Sequence, residues 1–152
     1  MDDVLAFLNL LCCGIVQGTY TFEMVVVVPA LSAAPTPLSA QIHRALFSHL
    51  PNRFMPWCGI IGGLSAGYLL AFGDVSGTAQ VLYAIGIVPW VVTFVILVGF
   101  SRPIDKTITH WAERTLPEDQ YPATRKRWDR LMYTRGPLGL IGFSLFIAAA
   151  LS

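Results

Sequence analysis

The stretch VLAFLNLLCCGIVQGTYTFEMVVVVPAL, Val4 to Leu31, decides the fold. It is apolar over more than the roughly 20 residues that a helix needs to cross hydrocarbon. The strands of an outer-membrane barrel would instead alternate with period two over about ten residues, and this run does not alternate. Inside it stand Asn9, Gln17, Thr19, Thr21 and Glu23. An ionisable side chain within a span is costly unless it faces a bundle interior or a wet cavity. Glu23 is therefore either the heart of a site or one half of a structural polar contact.

The rest of the chain agrees with a membrane setting. Of its 152 residues 55% are hydrophobic and only 12% charged, with a mean hydropathy of +0.61. A soluble domain carries about a quarter charged residues. The expected fold is all-α, one membrane domain of four spans at about 4–28, 55–72, 81–100 and 137–151. The last span is short, and the amphipathic stretch 123–135 can lengthen it. A signal peptide is not expected, because Met1-Asp2-Asp3 is acidic where a basic region belongs and the apolar run is too long.

The connections differ in character. The first, 32–54, has Pro35, Pro37 and Pro51 around Gln41–Phe47, which reads as a short amphipathic helix between breakers. The second, 73–80, is a tight turn. The third, 101–136, is long and polar, with helical stretches near 104–114 and 123–133. All ten Lys and Arg residues fall in the first and third connections. By the positive-inside rule these face the cytoplasm, and both termini with the Asp74 turn face the other side.

Glycines at four-residue spacing, Gly14 and Gly18 in the first span and Gly59, Gly63 and Gly67 in the second, predict close helix approach, with the second helix as a central packing surface. Pro89 should kink the third span. Cys12, Cys13 and Cys58 lack a C-x-x-C spacing and read as small buried hydrophobes.

Glu23 lies about 12 Å from the Leu31 end of its helix at 1.5 Å per residue, in the half expected to face the cytoplasm. The same end receives His49, Asn52 and Arg53 from the second span, Arg102 and Asp105 from the third, and Trp128, Tyr133 and Arg135 from the fourth. An apolar pocket with one carboxylate, one imidazole and one or two guanidinium groups suits an amphipathic aromatic ligand. The candidate catalytic groups are Glu23, His49 and Arg135. The candidate substrate contacts are Tyr20, Asn52, Arg102, Trp128 and Tyr133. Glu23 serves either as a base or as the partner of Arg135 or Arg102. No metal site is expected, since His43 and His49 do not share a helix face. His110 reads as interfacial, and Trp111, Trp128 and Tyr133 as an aromatic belt or a lid. Arg125-Lys126-Arg127 reads as a solvated or headgroup-facing cluster. No basic run interleaved with aromatics points to nucleic acid, and no phosphate loop or nucleophile elbow is present.

Phe22-Glu23 before Pro29-Ala30-Leu31, Met55-Pro56 opening the second span, and Arg127-Trp128 leading to Arg135 and a small-residue last helix resemble the DUF1772, or anthrone oxygenase-like, family of small membrane proteins. The resemblance spans nearly the whole chain through short motifs. It implies a four-helix membrane protein and a cofactor-independent oxygenase that takes a hydrophobic phenolic tricycle and dioxygen. By position, Pro29, Pro56, Trp128 and Arg135 match the pattern. Two places depart. Pro103-Ile104-Asp105 stands where an Asn usually follows the proline, and Met132 stands where an Asn or His usually precedes the final Arg. The other reading is a non-catalytic membrane subunit, in an oligomer or a larger complex, packed through its glycine faces and basic segment.

Overall fold

The structure, a computed structural model, describes residues 1–48 and 50–152, with only the backbone of 50–53 considered. Among the described residues it is all-α, with five helices: α1 Asp2–Ala33, α2 Thr36–Phe47, α3 Leu50–Phe72, α4 Gly77–Glu113 and α5 Tyr121–Ala150. Four of them, α1, α3, α4 and α5, are long and apolar enough to cross a membrane. On α4, Val81, Ile85, Val88, Val92 and Val95 all turn outward and are exposed. In water such a stripe would be a patch in need of a partner; in lipid it is the solvated face. The chain is an integral membrane helical bundle, and α2 is the short helix expected in the first connection.

Prolines do not end the spans where the sequence suggests. α1 runs through Pro29 to Ala33, and α4 runs through Pro103 to Glu113. Each passes its proline by widening for one turn into a π-helix, Glu23–Val27 in α1 and Leu97–Ser101 in α4. The residue just before the proline closes each wide turn: the Val28 N–H donates to the Glu23 carbonyl, and the Arg102 N–H to the Leu97 carbonyl. In a regular α-helix a proline ring presses on the carbonyl four residues back and leaves it without a donor. The wide turn relieves that clash, and π turns of this kind gather at functional sites. α5 is also one helix, continuous through Pro137. The stretch 123–135 lengthens the last span, as the sequence allowed, and the third connection shrinks to 114–120.

α1 packs mainly on α3, and α4 on α5, with α5 also crossing α1. Close approach falls at two of the predicted glycines, Gly59 against Phe94 at 3.1 Å and Gly14 against Phe143 at 3.3 Å, and also at others. A Cβ on Gly142 would lie 3.1 Å from the Gly86 carbonyl oxygen, one on Gly86 2.8 Å from the Phe146 ring, and one on Gly62 2.6 Å from the Cys13 sulfur. Asn9 donates to the Gly62 carbonyl at 2.7 Å at the same crossing. Gly18 and Gly67 meet nothing within 4 Å. Positions four apart drift about 40° per step around a helix of 3.6 residues per turn, so the stripe faces α4 at Gly59 and Gly63 and has left it by Gly67. Cys12, Cys13 and Cys58 are buried and unpaired by disulfides, as expected.

Two apolar cores result. One, around Cys13, Val16, Leu69, Tyr83, Trp90 and Phe146, fills the membrane-embedded bundle. The other, around Val28, Leu31, Phe47, Ile108, Trp128 and Met132, forms where α2 folds back against the end of α4. Ser39 ties α2 in place, donating to the Leu31 carbonyl at 2.9 Å and accepting from the Tyr121 hydroxyl at 2.7 Å.

Candidate functional site

Between the two cores lies a layer of buried polar side chains. On α1, Gln17, Tyr20 and Glu23 follow at three-residue intervals and so share one face. On α5, Trp128, Met132, Arg135 and Gly139 follow at three or four and face them; all seven residues are buried. Arg135 forms an ion pair with Glu23 through Nη2 and Oε2. Its guanidinium carbon sits 4.2 Å from the centroid of the Tyr20 ring, and Nη2 lies 3.1 Å from the Met132 sulfur. Met132, where the family pattern has an amide or imidazole, thus supplies a soft acceptor to the same arginine. Gln17 donates to the Gly136 carbonyl at 3.1 Å, tying α1 to α5 one turn away. Taking two charges out of water costs several kcal/mol per ion, recovered only when geometry and further hydrogen bonds are good. Here a ring face and a sulfur add to the carboxylate.

A second pair stands beside the first. Asp105, on α4 just past its π turn, takes two donors on one oxygen: the Trp128 indole N–H at 2.7 Å and His43 Nε2 at 3.2 Å. His43 is fully buried, with its ring 4.6 Å from Phe47 and edge-on to Trp128 at 5.0 Å. His43 Nδ1 has no partner among the described residues. A carboxylate that holds one imidazole nitrogen fixes the tautomer and frees the other nitrogen to accept a proton.

The Glu23–Arg135 pair and Asp105 of the second pair line one cavity. Its wall includes Tyr20, Glu23, Asp105, Trp128 and Arg135, and its volume is about 20 Å3, enough for about one water. Two carboxylates, a guanidinium and an indole N–H around one water-sized space can move a proton and hold an oxyanion. Among the described residues no three His, Cys, Asp or Glu side chains gather as metal ligands do.

The structure brings together Glu23, Arg135, Tyr20 and Trp128 as the sequence suggested. Arg102 is half-buried at the end of the π turn and does not line the cavity. Tyr133 is 52% exposed on the outside of α5; it follows Met132 by one position, about 100° around the helix, and so faces away from the site. The candidate base His49 and the side chain of Asn52 lie outside the described residues. Arg125 is not solvated, in contrast to Lys126 and Arg127. It pairs with Asp129 at 2.7 Å, reaches the Val28 carbonyl at 3.4 Å and lies over Trp128 at 4.6 Å.

Sequence reasoning did not choose His43, and it placed Asp105 at this end of the bundle without a role. The signal for His43 was its spacing: Ser39, His43 and Phe47 fall at four-residue steps on the buried face of α2. No family model matches the chain, and no curated protein or solved structure is significantly similar to it.

Proposed function

We propose that the chain is a membrane-bound, cofactor-independent oxygenase of the anthrone oxygenase type, acting on a hydrophobic phenolic tricycle. The observation that carries this is the meeting of the Glu23–Arg135 pair with Asp105, itself held by His43, on one cavity between the spans. A base here, Glu23 or Asp105, takes the acidic C–H proton of the anthrone. Arg135 holds the negative charge that moves onto the ring oxygen. The carbanion adds dioxygen, and the peroxide loses water, so one dioxygen gives one carbonyl oxygen and one water. Sidedness enters as part of this reading: the basic connections face the cytoplasm and the cavity lies in that half of the membrane.

The test uses the protein in lipid nanodiscs with anthrone and isotopically labelled dioxygen. The expected result is anthraquinone formed faster than in protein-free discs, with one labelled atom in the new carbonyl. Formation at the protein-free rate contradicts the reading.

A second reading has an observation of its own. The cavity holds about one water and Glu23 is closed on Arg135, so a tricycle enters only after side chains move. A small non-catalytic subunit, in an oligomer of itself or a larger membrane complex, needs no such movement. Absence of turnover with the fold intact favours it.

A further inference from the structure

A second opening lies on the lipid side of the bundle. Between α3 and α4 runs an apolar groove of about 310 Å3, with Gly59, Gly63 and Trp90 in its wall and the exposed Ile60 and Leu64 beside them. The two glycines let the rings of its wall pack close: a Cβ on Gly59 would lie 3.1 Å from the Phe94 ring, and one on Gly63 3.6 Å from Trp90. The Trp90 indole is pinned by donating to the Gly59 carbonyl at 3.2 Å. Phe94, half-buried, closes the inner end. Behind it is a neck walled by Gly59, Trp90, Phe94 and Tyr20 and shut to a sphere the size of water. Tyr20 is also a wall of the polar cavity and carries the Arg135 guanidinium on its ring. Groove and neck thus share Gly59, Trp90 and Phe94 as walls, and neck and cavity share Tyr20.

We propose that this groove is a lateral portal through which an apolar aromatic molecule dissolved in the bilayer reaches Arg135, with Phe94 as its gate. The inference rests on the reading of the inner cavity as the reaction site. The groove opens on the lipid-exposed face of the bundle, so a lipid-soluble molecule is what collects there. Its volume is at the lower end of ligand pockets, about 300–1,000 Å3, and the Trp90 and Phe94 rings offer flat faces for stacking. The far end supplies the polar partner: Arg135, only 2% exposed, keeps Nε without a partner among the described residues. A phenolic or ketonic oxygen satisfies that donor, whereas a lipid acyl chain has nothing to bring to it. Swinging Phe94 outward is cheap, because lipid tails are as apolar as the ring's present neighbours.

The test follows tryptophan quenching after rapid mixing of dihydroxyanthraquinone with the protein in lipid nanodiscs. Wild type should show saturable quenching. Gly63→Leu fills the groove and leaves the cavity alone, so it should slow association and dissociation together by about tenfold, with Kd unchanged within about threefold. Phe94→Ala should speed both. Three results each overturn the portal: equal rates in all three proteins, a Gly63→Leu variant weakened in Kd with association unchanged, or no saturable quenching by wild type. Portal kinetics in a protein that forms no anthraquinone would uphold the route while removing the oxygenase reading, so the two failures are distinguishable.

Discussion

At the residue scale the ion pair between Glu23 and Arg135 sets the energetics of the site. Both side chains are nearly inaccessible, at 7% and 3%, so neither charge has water to fall back on. Breaking a buried pair from one side costs about 3–5 kcal/mol, while replacing both partners by apolar groups of similar volume is often neutral. Glu23→Gln should therefore lower stability by about 3–5 kcal/mol in SDS-titration unfolding, and Glu23→Met with Arg135→Met should recover most of that loss. A double variant as unstable as the sum of its singles would contradict this. The carboxylate in the first apolar run was legible as an anomaly from sequence, and Arg135 was among its named partners. His43 was not chosen, because its partner Asp105 lies far along the chain and only the fold brings α2 under α4. The same distance explains Arg125, whose neighbours in sequence are exposed while its own contacts are with Val28 and Trp128.

At the element scale the four spans were legible, because about 20 apolar residues in a row have few other uses. The helix ends were not. The first span was read to end at Pro29, since a regular α-helix cannot pass a proline without losing a bond, and the third at about residue 100; the π turns that carry the chain past Pro29 and Pro103 have no simple sequence signature. Glycine spacing was legible only in part, holding at Gly14 and Gly59 and failing at Gly18 and Gly67, as contact depends on which face the partner helix crosses. The tightest backbone approach joins α4 and α5 at Gly86 and Gly142. Gly142→Ala sets a methyl against a carbonyl oxygen that cannot move aside, so a loss of about 1–3 kcal/mol is expected. Gly67→Ala, with nothing within 4 Å, should be neutral or slightly stabilising, by up to about 1 kcal/mol. Equal effects at the two positions in unfolding titrations would show that small-residue spacing alone decides packing.

At the scale of the whole molecule, two apolar cores clamp a polar layer, and the clamp depends on both long helices running past their prolines. Asp105 and the α2-facing end of α4 exist as parts of the site only because α4 continues to Glu113. The proposed sidedness has a direct check. An impermeant maleimide should label Asp74→Cys on intact cells and Lys126→Cys only after lysis, the native cysteines being buried; the reverse pattern would invert the orientation. The most direct test of the central claim, that the Glu23–Arg135 layer is where chemistry occurs, is oxygen uptake with anthrone in nanodiscs, normalised to folded protein. A positioned base contributes about 10²–10⁴ in rate, so Glu23→Gln should lower uptake at least about a hundredfold relative to wild type. Equal rates for the two proteins would contradict the account.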